Sequence, residues 1–250
     1  MYPNLFGIHN FSYTLCMIVG IVCAFFVAFF YFKKSKYDKA AVIDLLICGC
    51  FAIVGGIVFA ILFENLYEAI SLKEQYHWTF AMTFYGGLFG GTFAFILTYV
   101  LMNKFSKVNF ALVDVVKIAP VSVLIAHGFG RIGCFLAGCC HGVYTDSWIG
   151  ISFPNIGKVV PTQLIEAIVL FILFAITFVL VFKFKFNYAA VIYLTSYSIA
   201  RFIIEFYRGD ERGVAFALSP SQVWSIVLFA LAIPTYFWIK RSIKKWKRAI

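Results

Sequence analysis

The chain has 250 residues, of which 63% are hydrophobic, 20% aromatic and only 13% charged, against about 25% charged in an average soluble domain. One water-soluble core of this size cannot hide so much apolar surface, so a soluble globular domain is excluded, and the length suits seven spans of roughly 20 residues joined by short loops. The net charge of +10 falls at the ends of those spans, so it marks topology and not a nucleic-acid partner, and none is expected.

The first predicted span, 11–32, carries no charge and is followed by Lys33, Lys34, Lys36 and Lys39. It lacks the basic leading segment of a cleaved signal peptide and reads as a retained helix with a stop-transfer flank. The second, 42–63, contains one early acid, Asp44, and the third, 79–102, follows the interfacial pair His77 and Trp78. The fourth, 112–130, carries Asp114, Lys117, Pro120 and His127; the three-residue spacing of Asp114 and Lys117 predicts that they pair. The fifth is 162–182, the sixth 187–207 with Arg201 and Glu205 near one end, and the seventh 220–239. Lys104 and Lys107 follow the third span, Lys183 and Lys185 the fifth, and Lys240, Arg241, Lys244, Lys245, Lys247 and Arg248 the seventh. With the four lysines after the first span, these fill alternate connections, which the positive-inside rule makes cytoplasmic. Glu64, Glu68, Glu74, Asp146, Asp210 and Glu211 lie on the opposite side. The expectation is an all-α polytopic integral membrane protein of about seven transmembrane helices, with the N-terminus outside and the C-terminus cytoplasmic. It forms one domain over 1–250, with the lipid bilayer as partner. Short loops and the lack of an organelle-targeting segment point to a bacterial plasma membrane. The basic end RSIKKWKRAI also suits anionic headgroups, beside its role in retention.

Ionisable groups at membrane depth are costly and default to functional hypotheses. Arg201 and Glu205 are four residues apart, share a helix face and can pair, with Arg208 one turn on. Arg131, in the run His127-Gly-Phe-Gly-Arg-Ile-Gly-Cys134, adds a second arginine without a nearby carboxylate in sequence. Two arginines near the outer face suggest a bound anion, because guanidinium forks match phosphate oxygens, and the anion available there is a phospholipid headgroup. The glycines of Phe84-Tyr-Gly-Gly-Leu-Phe-Gly-Gly91 and of the Arg131 run permit close helix packing. Gly128, Gly130 and Gly133 are expected to end a helix beside the site.

In these segments the chain resembles the prolipoprotein diacylglyceryl transferases of bacteria. Tyr13-Thr-Leu-Cys-Met-Ile-Val-Gly20 is similar to the first-helix segment of that family, and 54–65 to its second helix. Tyr85-Gly86-Gly87-Leu-Phe-Gly90 resembles the family's His-Gly-Gly segment. Gly130-Arg131-Ile-Gly133 with Phe135 and Gly142 resembles its Gly-Arg signature. Pro161-Thr-Gln163-Leu-Ile-Glu166, Arg201-Phe-Ile-Ile-Glu205-Phe-Tyr-Arg208 and Ser219-Pro-Ser-Gln222 resemble three further motifs in the family's order. The resemblance implies transfer of diacylglyceryl from phosphatidylglycerol to the lipobox cysteine thiol of a preprolipoprotein. It forms a thioether and releases glycerol phosphate, with no metal and no cofactor. It implies Arg131, Arg201 and Tyr85 as catalytic residues. Tyr13, Gly86, Gly87, Cys134, Cys139, Gly142, Gln163, Glu166, Glu205 and Arg208 would bind substrate. Arg131 and Arg201 would clamp the phosphate, oriented by Glu166 and Glu205, with Tyr13 lining the site. The chain departs from the family at Tyr85, where the family has histidine; at Cys134 and Ala137, where it has asparagines; at Cys139, where it has glutamate; and at Ile57, where it has arginine. Tyrosine, with a reference pKa near 10 against about 6.5 for histidine, is the poorer base at neutral pH but still donates a hydrogen bond.

Cys134, Cys139, Cys140 and His141 stand where polar family residues are replaced. Four readings stay open: metal ligands, a redox or acyl-carrying thiol, a disulfide of Cys134 with Cys139 or Cys140, or small packing residues. Cys139 and Cys140, as neighbours, are expected to point apart, and Cys16, Cys23, Cys48 and Cys50 read as packing residues. Two other functions remain beside the transferase: a lipid-modifying paralogue with another acceptor, and a non-enzymatic lipid-binding or thiol-redox membrane protein.

Overall fold

A computed structural model describes residues 11–72, 77–105, 107–154, 156–209 and 218–247. Glu74, Asp210, Glu211 and Arg248, assigned to loops or flanks above, lie outside the described residues, as do the side chains of Lys245 and Lys247. The described residues form α1 (Phe11–Lys34), α2 (Lys39–Leu72), α3 (Phe84–Phe105), α4 (Leu112–Ala137), β1 (Ile151–Phe153), β2 (Gly157–Val159), α5 (Thr162–Phe182), α6 (Ala189–Glu205) and α7 (Pro220–Lys247). Six of the helices are long and apolar enough to cross a membrane; α6, with 17 residues, is the shorter one. The chain divides into two compact units, 32–111 and the combination of 1–31 with 112–250.

In the 32–111 unit, α2 and α3 are antiparallel and meet along small residues. A methyl group on Gly90 would fall 2.1 Å from Phe59 Cβ, one on Gly55 2.4 Å from Ala94 Cβ, and one on Gly91 3.1 Å from the Ala52 carbonyl oxygen. Backbones this close gain dispersion contacts that lipid tails do not supply, which is why small residues mark helix interfaces in membranes. One end of the hairpin is tied by Asn65, 3% exposed, which donates to the Thr79 carbonyl at 2.8 Å and accepts the Thr79 N–H at 2.9 Å. At the other end, Asp44 accepts from the backbone N–H and side-chain amide of Asn109, at 3.0 and 2.9 Å. The third span was expected from residue 79. Its helix begins at Phe84, where Thr83 caps it: the Gly86 N–H donates to Thr83 Oγ1 at 3.3 Å.

In the other unit, α1 packs on α4 and α4 on α5. Added methyl groups would meet Ala126 from Gly20 at 2.8 Å, Tyr13 from Gly133 at 3.1 Å and Phe171 from Gly128 at 2.8 Å. These contacts correct the expected helix break. α4 continues through Gly128, Gly130 and Gly133 to Ala137, because the missing side chains admit α1 and α5 while the helix keeps its own hydrogen bonds. It stops at Gly138, which adopts φ 78°. Asp114 and Lys117 interact electrostatically, as their spacing predicts, and both also meet α1. Tyr31 Oη donates to Asp114 Oδ1 at 2.7 Å, and Lys117 Nζ lies 5.8 Å from the centre of the Tyr31 ring. Between α4 and α5, β1 and β2 form a small antiparallel hairpin. Beside it, residue 142 bridges to Arg208, and the Gly142 N–H donates to the Val160 carbonyl at 2.8 Å.

Candidate active site

The polar side chains of the second unit converge where α4 ends, α5 begins, α6 ends and α7 begins. On α4, His127 and Arg131 are one turn apart. On α6, Tyr197, Arg201 and Glu205 repeat every four residues and therefore share a face. Glu166, in the first turns of α5 and 1% exposed, is the hub. Its Oε1 lies 3.1 Å from Arg131 Nε and 3.7 Å from His127 Nε2, and it accepts a hydrogen bond from Tyr197 Oη at 2.9 Å. Its Oε2 faces Arg201 Nη1 at 3.5 Å. Arg201 Nη2 then lies 2.6 Å from Glu205 Oε2 and donates to Ser221 Oγ at 3.0 Å. Glu205 Oε1 accepts from Ser219 Oγ at 2.8 Å.

The two carboxylates therefore balance the two guanidiniums. This revises the view of Arg131 as uncompensated: its partner is 35 positions along the chain, out of reach of any local pattern. Burying such charges is tolerable only when each is paired and hydrogen-bonded. The arginines are not equivalent. Arg201 is 2% exposed and closed in by two carboxylates and a serine, whereas the Arg131 side chain is 11% exposed and faces Glu166 through Nε, in ion-pair and not hydrogen-bond geometry. Arg131 is thus the more accessible guanidinium, and Arg201 the more enclosed.

The remaining expected site residues, the cysteines aside, fall into four groups. Tyr13, on the first turn of α1, packs at Gly133 and interacts electrostatically with Arg131, Cys134, Cys139 and Cys140. Gln163, 1% exposed, donates through Nε2 to the Cys139 carbonyl, and its Oε1 is buried without a hydrogen-bond partner among the described residues. Gly142 lies between backbone segments, where a methyl group would sit 2.5 Å from the Tyr207 carbonyl oxygen, and Arg208 adjoins it. Tyr85, Gly86 and Gly87 belong to the 32–111 unit. There Tyr85 is buried with its ring edge-on to Phe84, the Gly86 amide is held by Thr83, and Gly87 packs on Gly56 and Ala60. Tyr197 and Ser221 join the network without having been singled out. The four-residue step from Tyr197 to Arg201 was a usable signal, and Ser221 lies in the Ser219-Pro-Ser-Gln222 segment that carries the family resemblance.

The cysteines form a separate feature. Cys134, Cys139 and Cys140 bring their sulfur atoms within 4.8 Å of one another. This corrects the expectation that Cys139 and Cys140 diverge. Cys140 adopts φ 62°, left-handed for a residue with a Cβ, and that turn brings its side chain to the same side as Cys139. The conformation costs about 1–2 kcal/mol and is held from outside. Thr162 Oγ1 donates to the Cys140 carbonyl at 2.9 Å, and Gln163 holds that of Cys139. Hydrogen bonds from the Cys134 and Cys139 thiols keep the Cys140 thiol well below its usual pKa. The guanidiniums of Arg208 and Arg131 act in the same direction, against burial. Cys139 is pushed up, first by its hydrogen bonds with Cys134 and Cys140 and then by burial.

The sequence pattern of the family described as prolipoprotein diacylglyceryl transferase matches residues 3–238. A phosphatidylglycerol–prolipoprotein diacylglyceryl transferase of Clostridium tetani is 30% identical over 240 residues, covering 92% of this chain and 93% of the relative. A second, from Clostridium perfringens, is 31% identical over 244 residues, covering 93% and 92%. One from Rickettsia bellii is 34% identical over 254 residues, covering 93% and 92%.

Proposed function

The chain belongs to the prolipoprotein diacylglyceryl transferase family, and on that premise we propose that it moves the diacylglyceryl group of phosphatidylglycerol to a lipobox cysteine of a preprolipoprotein. It is a transferase, as the relatives are by name, and six of its described helices are long and apolar enough to cross a membrane. The observation that carries the site is the Arg131–Glu166–Arg201–Glu205 network, buried at the converging ends of four helices. An open apolar groove of about 200 Å³ lies on the surface between α6 and α7, where Ile199, Ile203, Ile226 and Phe229 are exposed. A buried charged network and an apolar groove on the same helix pair suit an amphipathic ligand with a phosphate head and acyl tails.

In this reading Arg131 binds the phosphate through its remaining N–H donors. The acceptor sulfur attacks the glycerol carbon that bears the phosphate ester. A carbon–sulfur bond forms, the carbon–oxygen bond breaks, and the electron pair leaves on glycerol phosphate, whose phosphate takes up the proton that the thiol gives up. Arg131 stabilises the charge that grows on the departing phosphate, where a positioned donor contributes most. Arg201 holds Glu166 and Glu205, and through Glu166 fixes the orientation of Arg131. Tyr85, at the position of the family's histidine, is proposed from the resemblance as a further catalytic group, acting as a hydrogen-bond donor.

The chain is read as one domain of seven spans in a bacterial plasma membrane, N-terminus outside. α6 counts as the seventh span although its 17 residues reach only about 25 Å at 1.5 Å per residue. Release of glycerol phosphate from phosphatidylglycerol, dependent on a peptide cysteine, tests the reaction. Release is expected from the intact chain and not with a Cys→Ser peptide. Release that is indifferent to the peptide cysteine would point to a lipid hydrolase or to another acceptor.

A further inference from the structure

The cysteine trio is not needed by the network of Glu166, and its geometry suits a task of its own. Cys134 occupies the last turn of α4, and the chain then reverses so that Cys139 and Cys140 return to it. The turn is closed by the Gly138 N–H to the Phe135 carbonyl at 3.1 Å and by the Cys139 N–H to the Cys134 carbonyl at 3.2 Å. Gly138 and Cys140 both adopt positive φ, and Thr162 and Gln163 fix the carbonyls of Cys140 and Cys139. The scaffold thus comes from backbone bonds and from α5, while the three sulfurs are brought within 4.8 Å of one another. Three thiolates about 2.3 Å from one zinc ion stand roughly 3.8–4.0 Å apart, a spacing this arrangement reaches with small side-chain rotations.

We propose that Cys134, Cys139 and Cys140 form a three-thiolate site for Zn²⁺, which ties the end of α4 to the loop that follows it. Zinc takes three protein ligands readily and leaves its fourth position to water. Thiolate is the soft donor that this class of ion selects over carboxylate-binding cations. Three thiolates around Zn²⁺ leave a net single negative charge, and Arg208 is the neighbouring cation that balances it. Cys139 is exposed and the other two are half-buried, so the ion has a path from water. His141 is engaged elsewhere, its Nδ1 lying 3.1 Å from the Gly142 carbonyl oxygen. On binding, three S–Zn bonds form, and the thiols that still carry a proton release it to solvent.

The test uses the full chain, purified in detergent and kept reduced under anaerobic conditions, with its thiols counted before use. It is dialysed against buffered Zn²⁺, and bound metal per chain is measured by mass spectrometry. The site predicts one Zn²⁺ per chain and affinity weakened by at least about 10- to 100-fold in C139S and in C140S. C50S, which changes an exposed cysteine outside the trio, should bind as the native chain does. The thermal unfolding of each metal-free variant shows that it remains folded. Zinc retained equally by folded C139S and C140S would overturn the proposal, as would no zinc on a chain whose trio is counted as free thiols. Isolation with Cys134 in a disulfide to Cys139 or Cys140 would overturn it in favour of a redox pair.

Discussion

Glu166 touches more of the site than any residue the sequence brought forward for catalysis. One carboxylate faces Arg131, Arg201, His127 and Tyr197 at once. Glu166→Gln keeps the shape and removes the charge, leaving two buried guanidiniums with one carboxylate between them. Breaking a buried pair in this way costs about 3–5 kcal/mol, so the variant should unfold at a clearly lower temperature in detergent. An unchanged unfolding temperature would mean that the network is not closed as described. Cys140 gives a second test. Its neighbours lower its pKa, so the thiolate is already present near neutrality and is lost only as the pH falls through that lowered value. The rate of Cys140 alkylation in the metal-free chain should then stay nearly flat from pH 8 to pH 6.5, where an ordinary thiol of pKa about 8.5 loses reactivity about tenfold per unit. A tenfold loss per unit, followed by peptide mass spectrometry, would contradict the lowered value. The pairing of Arg201 with Glu205 was legible at this scale from its four-residue step. The partner of Arg131 was not legible from spacing, because only the packing of α4 on α5 brings it to Glu166; the family resemblance alone implied that carboxylate.

Among the elements, the helices were read closely where apolar residues run uninterrupted, as at α5, expected over 162–182 and found at Thr162–Phe182. Boundaries were misread at the end of α2, the start of α3 and the end of α4, and the last of these bears on the site. Glycine breaks helices in water largely because it leaves the backbone free, but in an apolar setting the helical hydrogen bonds are too costly to give up. There the same glycines serve contact with α1 and α5. A similar contact governs the α2–α3 hairpin, and Gly90 is its tightest point, since an added methyl would overlap Phe59. Gly90→Ala should force the helices apart and lower the unfolding temperature of the full chain. Gly87→Ala, with its nearest contacts at 3.7 Å, should have a much smaller effect. Equal effects of the two substitutions would mean that the interface does not depend on close approach at Gly90.

For the molecule as a whole, the polytopic all-helical character was legible because a bilayer imposes long apolar runs directly on composition and order, and six helices of the described residues are long and apolar enough to cross it. The joining of α4, α5, α6 and α7 into one ionic network was not, since periodicity shows which residues share a face and not which faces meet. The proposed orientation puts Cys139 on the outer side. An impermeant maleimide added to intact cells should therefore label it without membrane disruption, and labelling only after disruption would reverse the topology. The central claim is that Arg131 binds the phosphate of phosphatidylglycerol while diacylglyceryl passes to a peptide thiol. The most direct measurement combines purified chain, phosphatidylglycerol and a lipobox peptide with one cysteine, and weighs the peptide afterwards. The account predicts a diacylglyceryl mass gain with the native chain and a rate lower by about 100- to 1,000-fold with folded Arg131→Ala. Transfer that proceeds equally well without Arg131, or no transfer by the folded native chain, would contradict it.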